Sequence, residues 1–151
     1  MADLDSVFRR EWGPAVAALA RWCGDLSIAE DAVQEAFAEA LRTWHSEPPT
    51  KPGGWIMTVA RNRALDRLRR ESAREGKELA AMPAQIEDTP VHPVRDDELR
   101  MMFTCAHPAL DPASQLALTL RLISGLTVPE IARATMQSEA AVGQRITRAK
   151  N

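Results

Sequence analysis

The sequence is poor in the residues that stabilise small secreted folds and β-sheets. It contains only two cysteines, Cys23 and Cys105, and they stand far apart in 151 residues. This spacing predicts neither a disulfide framework nor a cysteine metal site. Tyrosine is absent, aromatic residues make up 5% of the chain, and β-branched residues are sparse. Since the abundant residues are strong helix formers, above all Ala, Leu, Arg and Glu, the composition predicts an all-α chain.

Long apolar runs are also missing. No segment approaches the roughly 18 consecutive apolar residues of a membrane span. The N-terminal stretch MADLDSVFRREW is charged and lacks the apolar centre of a signal peptide. We therefore expect a soluble, cytoplasmic protein that has no membrane partner.

Charge is nearly balanced overall but is divided unevenly along the chain. Nineteen Lys and Arg residues accompany 21 Asp and Glu residues, which gives a formal net charge of −2. From Arg61 to Lys77, seven basic residues stand against three acidic ones, whereas Asp25 to Glu39 holds five acids and no base. This division predicts separate surfaces for separate partners. The alternative is a pair of solvated helix faces of opposite sign.

Periodicity predicts three helices in the first half of the chain. The first is LDSVFRREWGPAVAALARWC, with a bend expected at Gly13-Pro14. The second is SIAEDAVQEAFAEALRTW, which Ser27 and Glu30 would open as a capping box. After a proline-rich loop, the third is expected from about Gly54 to Arg74. The apolar stripe of the second helix is predicted to face the core: Ile28, Ala32, Val33, Ala36, Phe37, Ala40, Leu41 and Trp44.

The periodicity then dissolves, which predicts a division into two domains. The stretch GKELAAMPAQIEDTPVHPV is rich in proline and polar residues, as is typical of a flexible linker. We expect a first domain over residues 1–75, a linker over 76–94 and a second domain over 95–151.

The second domain ends in a predicted helix-turn-helix. A helix N-capped by Asp111 and C-capped by Gly125 precedes it. Thr127 and Glu130 form a capping box for the next helix, TMQ is the turn, and Ser138 caps the last helix. The last helix turns Val142, Ile146 and Ala149 inward. Its opposite face carries Ala140, Ala141, Gln144, Thr147 and Arg148, with Arg145 and Lys150 on the flanks. The alternative is an ordinary helical hairpin within a bundle.

Taken in order, these segments resemble an extracytoplasmic-function (ECF) sigma factor of bacterial RNA polymerase, in the sigma-70 family. AEDAVQEAFAEALRTW resembles the polymerase-binding helix of region 2. PGGWIMTVARNRALDRLRRE resembles the segment that melts the promoter and reads its minus-ten element. LTVPEIARATMQSEAAVGQRITRAK resembles the region 4 reader of the minus-thirty-five element. DDELRMMFTCAHPALDPASQLALTLRLISGLT is similar to a subgroup that continues into a C-terminal helical-repeat extension, which is absent from this sequence.

The resemblance implies a factor that binds core RNA polymerase and directs promoter recognition and transcription initiation. The implied polymerase-binding residues are Asp31, Gln34, Glu35 and Ala38. The implied residues for promoter melting and minus-ten contact are Trp55, Asn62, Arg63, Asp66, Arg69 and Arg70. The implied minus-thirty-five residues are Ala140, Ala141, Gln144, Arg145, Thr147 and Arg148. For two of these residues an alternative stays open, because Trp55 suits the core equally well and Asp66 could orient an arginine instead of contacting DNA.

Nothing in the sequence predicts catalysis. His45, His92 and His107 are scattered, and Cys105 and His107 in TCAHP have no second pair of ligands nearby. We therefore expect no enzyme, no metal and no cofactor. The expected partners are core RNA polymerase and promoter DNA, with an anti-sigma factor or a regulatory C-terminal extension as further candidates. Two rival hypotheses are a stand-alone helix-turn-helix transcriptional regulator and a DNA recombinase or nuclease that carries a helix-turn-helix.

Overall fold

The computed structural model describes residues 3–45, 48–76 and 96–151, and helices are the only regular secondary structure within these ranges. The predicted all-α class is confirmed. Beyond Gly76, the predicted linker lies outside the described residues. The helices are α1 (Leu4–Cys23), α2 (Leu26–Thr43), α3 (Pro52–Glu75), α4 (Asp96–Cys105), α5 (Pro112–Leu122), α6 (Val128–Thr135) and α7 (Glu139–Lys150).

Helix α2 packs against both α1 and α3 and shares the core of the first half with them. Its Phe37 lies edge-on to Phe8 of α1, with ring centroids 4.9 Å apart, and Trp12 completes the aromatic cluster. Helix α3 contributes the fully buried side chains of Ile56, Ala60 and Ala64. Small residues on this face let the helix axes approach closely, as ridges-into-grooves packing requires.

Two sequence predictions for α2 are wrong. The helix is N-capped by Asp25, whose carboxylate accepts the backbone N–H of Ile28 at 2.9 Å, and not by a Ser27–Glu30 capping box. Asp25 takes the capping role, and Glu30 is turned into the interior instead. Leu41 is 68% exposed although the apolar stripe included it. Since each i+4 step advances about 40° around a helix, Leu41 has rotated about 80° from Val33 and off the packed face.

The capping predictions for the second half are largely confirmed. Asp111 N-caps α5 and accepts the backbone N–H groups of Ala113 and Ser114, both at 3.1 Å. Thr127 and Glu130 form both bonds of the capping box on α6. Ser138 caps α7 by accepting the N–H of Ala141. Between α6 and α7, Met136 adopts the left-handed conformation at φ 53°, which closes the predicted turn.

Gly125 does not cap α5 as predicted, because the C-cap residue is Ile123. Gly125 instead has φ 71° and lies against α1. A Cβ at this position would stand 2.8 Å from the ring of Phe8 and 3.0 Å from the ring of Trp12. Glycine is therefore required both by the backbone conformation and by the close approach of this loop to the first half of the chain.

Phe37 and Leu41 provide a matched test of this packing, because both were predicted to lie in one apolar stripe. Phe37→Ala removes a buried ring from the aromatic cluster and should lower the free energy of unfolding by about 3–5 kcal/mol. Leu41→Ala removes an exposed side chain and should change it by no more than about 0.5 kcal/mol. Chemical denaturation followed by circular dichroism measures both values. Equal losses for the two variants would contradict the observed orientation of α2.

Candidate nucleic-acid interface

The outer face of α2 presents the residues predicted to contact polymerase. Asp31, Gln34 and Glu35 are exposed and Ala38 is partly exposed. Their spacing of three and four residues places them on one side of the helix, opposite its buried stripe. Asp31 is already engaged within the chain, since Arg67 Nη1 of α3 donates to its Oδ2 atom at 2.6 Å.

A second set of ion pairs joins the acids of α2 to the bases of α3. Arg63 lies 3.8 Å from the Glu35 carboxylate and 3.7 Å from that of Glu39. A hydrogen bond from Arg42, together with its charge, holds the pKa of the Glu39 carboxyl below its ordinary value. The acidic and basic segments predicted to form separate surfaces therefore share an edge and neutralise one another there. Exposed pairs of this kind contribute little to stability, so they can exchange partners readily.

The predicted DNA-contacting residues of α3 lie mostly on its exposed side. This holds for Asn62, Arg63, Asp66, Arg69 and Arg70. Arg70 Nε donates to the backbone carbonyl of Asp66 at 3.3 Å, which is a bond to the main chain and not to the Asp66 carboxylate. The result is an exposed strip of guanidinium groups around one amide side chain.

Trp55 packs at the edge of the core and is partly exposed, which agrees in part with both the core role and the DNA-contacting role. Its ring packs edge-on against Trp44, with centroids 5.0 Å apart and an interplanar angle of 67°. Both tryptophans are only partly buried. The Nε1 group of Trp44 is buried without a hydrogen-bond partner. Trp55 is thus braced from one side by another ring and keeps part of its surface available.

Helix α7 presents the predicted outer face of the helix-turn-helix. Ala140, Ala141, Gln144, Thr147 and Arg148 are exposed, while Val142 and Ile146 are buried. Arg145 differs from these residues, because its Nη1 atom donates to Asp111 Oδ1 at 2.8 Å and ties α7 to the start of α5. Hydrogen bonds from Ser114, with the Arg145 charge adding to them, lower the pKa of the Asp111 carboxyl.

A cluster of three charged residues lies between the two halves of the chain and was not predicted from the sequence. Glu30 is 3% exposed, and its carboxylate accepts hydrogen bonds from Arg121 of α5 and Lys150 of α7. The sequence does indicate that Glu30 is buried, because Glu30 lies at helical spacing from Val33 and Phe37, which belong to the apolar stripe. A carboxylate at such a position needs a buried cationic partner.

Cys105 is buried in the core, and His107 forms a hydrogen bond with the neighbouring main chain. Burial raises the pKa of the Cys105 thiol to about 11, so the thiolate form that binds metals is disfavoured. His107 Nδ1 accepts the backbone N–H of Ala109 at 3.1 Å. Within the described ranges, no group of three or more His, Cys, Asp or Glu side chains is arranged to hold a metal ion.

Among the helices described, none is long and apolar enough to span a membrane.

Comparison with known proteins finds two family regions along the chain, the first covering the surfaces of α2 and α3 and the second covering the surface of α7. Sigma-70 region 2 matches residues 8–74, and Sigma-70 region 4 matches residues 100–151. An uncharacterized protein of Rhizobium meliloti is 41% identical over 145 residues, covering 90% of this chain and 34% of that protein. The ECF RNA polymerase sigma factor BldN of Streptomyces coelicolor is 30% identical over 125 residues, covering 79% of this chain and 47% of BldN.

The chain therefore spans about a third to a half of the length of these two relatives. A solved structure of an RsbN–BldN complex aligns over 97% of this chain and 86% of that chain at 22% identity. Its TM-score of 0.35 is too low to support any conclusion about how the helices are arranged. The two regions matched in order, together with the BldN likeness, establish that the chain belongs to the sigma-70 family, in its extracytoplasmic-function group.

Proposed function

We propose that this chain binds core RNA polymerase and directs it to promoters. The observation that carries the proposal is the arrangement of three exposed polar faces, on α2, α3 and α7, over separate buried stripes. In this proposal, residues 1–75 act as the region 2 domain, residues 95–151 act as the region 4 domain, and residues 76–94 join them.

The α2 face is the proposed polymerase contact. Asp31, Gln34 and Glu35 offer carboxylate and amide groups that suit a basic, arginine-rich surface, and Ala38 allows close approach. The internal pairs with Arg63 and Arg67 orient these carboxylates before polymerase binds. Because the pairs are exposed, a polymerase arginine can replace them at little cost.

Helix α3 is the proposed site for capturing the melted strand. Its exposed arginines can neutralise phosphates, and Asn62 can form hydrogen bonds with a base. Trp55, supported by Trp44, can stack on or wedge against an unpaired base. A polar strip beside an aromatic ring is the combination that single-stranded DNA requires.

Helix α7 is the proposed reader of the upstream element. It is the second helix of the helix-turn-helix, which enters the major groove in this motif. Ala140 and Ala141 near its N-terminus let the backbone approach the bases, while Gln144 and Arg148 can pair with base edges or phosphates. Thr147 extends the same exposed face. Arg145 is proposed as a positioning residue, because its guanidinium is held by Asp111.

The proposed activity is initiation of transcription by recruitment and not enzyme catalysis. It would take place where the polymerase acts, in the cytoplasm. A protein that covers the α2 or α7 face, such as an anti-sigma factor or a C-terminal extension, would block it.

Transcription from promoter DNA with bacterial core polymerase tests the proposal. The chain should convert core polymerase, which is inactive on promoters, into a promoter-dependent enzyme. Tight, sequence-specific binding to duplex DNA by the chain alone, without polymerase stimulation, would favour the stand-alone regulator. DNA cleavage or strand exchange would favour the recombinase or nuclease hypothesis.

Gln34→Arg tests the α2 face without disturbing the Asp31–Arg67 pair. The new positive charge would meet a basic polymerase surface and should weaken binding to core polymerase by about tenfold or more, which is about 1.4 kcal/mol. The matched control is Thr43→Arg, which adds the same charge at an exposed position nine residues on, where the helix has turned by about 180°. Competition binding to core polymerase measures both. Equal affinities would show that this face is not the polymerase contact.

Arg148→Ala tests the α7 face. The variant should bind core polymerase normally but lose about 1–3 kcal/mol of promoter affinity if the arginine pairs with a base. Arg9→Ala, which removes another exposed arginine, this one on α1, controls for the change in net charge. Both variants are compared on a promoter with and without its upstream element. Unchanged use of the upstream element by Arg148→Ala would exclude this residue from the DNA contact.

A further inference from the structure

Asp111 is an acidic residue at the edge of the proposed DNA-reading surface of α7. A depression of about 320 Å³ lies between the start of α5 and α7, and its lining includes Asp111 together with Gln144, Arg145 and Arg148. The last three belong to the residues implied for the minus-thirty-five contact. Since a carboxylate repels the phosphates of DNA, Asp111 affects how this surface meets the duplex.

The Asp111 carboxylate is fixed by hydrogen bonds within its own helical turn. Its Oδ1 atom accepts the backbone N–H groups of Ala113 and Ser114, and its Oδ2 atom accepts the Ser114 hydroxyl. These bonds, the Ser114 hydroxyl above all, lower the pKa of the carboxyl, so Asp111 carries a negative charge at neutral pH. The bonds from α5 therefore keep the anion in position whether or not an arginine pairs with it.

Arg145 is held by this anion at the border of the exposed face of α7. Its Nη1 atom donates to Asp111 Oδ1 at 2.8 Å, and its Nε group is buried without a hydrogen-bond partner. Around the helix axis, Arg145 lies only about 60° from the exposed Arg148, because three residues turn the helix by about 300°. Its guanidinium is thus drawn toward α5, although its place on the helix suits contact with a phosphate beside the groove.

We propose that Asp111 is a specificity-determining residue that keeps Arg145 away from phosphates and so limits binding to DNA without a promoter. This inference rests on the proposed promoter function. An arginine that neutralises a phosphate adds affinity for any DNA sequence, because the release of counterions does not depend on the bases.

The withheld charge disfavours non-specific complexes more than the specific one. In the specific complex, contacts with base edges fix the register of α7 on the duplex. A non-specific complex has no such register and can shift until a released guanidinium meets a phosphate. Because competing sites far outnumber promoters, the ratio of specific to non-specific affinity decides where such a protein binds.

Binding of the full chain to a random-sequence duplex at several salt concentrations tests the proposal. Asp111→Asn keeps the N-cap of α5, since Asn caps as well as Asp, but removes the charge that holds Arg145. Between about 50 and 200 mM salt, the variant should bind about threefold or more tightly than the parent. The plot of log affinity against log salt should steepen by about 0.9, the value for one more neutralised phosphate. Fluorescence anisotropy of the labelled duplex measures both quantities.

Arg145→Ala shows whether Arg145 causes the change. Added to Asp111→Asn, it should restore the parental salt slope. Alone, it should leave the slope parental, because Arg145 contacts no phosphate while Asp111 holds it. The matched control is Asp5→Asn, since Asp5 and Asp111 are similarly exposed, at 61% and 57%, and each pairs with an arginine at 2.8 Å. Asp5→Asn should keep the parental slope.

Two results would overturn the proposal. The first is a parental slope for Asp111→Asn. The second is a slope that becomes shallower by about 0.9 in Arg145→Ala alone, because Arg145 would then already contact DNA. Circular dichroism must show parental helix content for each variant that is interpreted. If Asp111→Asn loses helix, Asp111→Ser replaces it under the same criteria, because Ser also caps helices and carries no charge.

Transcription with core polymerase separates this inference from the proposed function. On promoters with an intact or a scrambled upstream element, Asp111→Asn should reduce the preference for the intact element by about threefold or more. A parental preference would overturn the specificity role. If the parent itself supported no promoter-dependent transcription, the proposed function would be refuted, while the salt slopes would still decide whether Asp111 withholds Arg145 from DNA.

Discussion

The packing of α2 between α1 and α3 is the constraint on which the rest of the structure depends. Burial of Val33, Ala36 and Phe37 fixes the rotation of the helix about its axis. That rotation places Asp31, Gln34 and Glu35 on the outside and aims Glu30 at the second half of the chain. One apolar stripe therefore determines both the proposed polymerase contact and the contact between the halves.

Two kinds of ion pair are found among the described residues, one exposed and one buried. Exposed acids of α2 pair with arginines of α3, while the buried carboxylate of Glu30 pairs with cations of α5 and α7. The first kind of pair is weak and open to competition from a partner. The second is sensitive to the loss of either side, because an unpaired buried charge is costly.

Structural features that depend on contacts within about one helical turn could be predicted from the sequence. The caps at Asp111, Thr127 and Ser138 and the turn before α7 were predicted because their hydrogen bonds join residues close in the chain. The failures at Glu30 and Gly125 share another cause, since each residue is placed by a contact with the opposite half. Periodicity also cannot tell where a packed face ends, as Leu41 illustrates. The roles assigned to the exposed residues of α2, α3 and α7 stay predictions.

Site-specific photocrosslinking in a complex with core polymerase and promoter DNA tests the central claim most directly. A crosslinker at Ala38 on α2 should label polymerase, and one at Thr147 on α7 should label duplex DNA upstream of the melted segment. Both positions tolerate a larger side chain, because Ala38 is partly exposed and Thr147 is exposed. Labelling of DNA from Ala38, or of polymerase alone from Thr147, would contradict the assignment of these two faces.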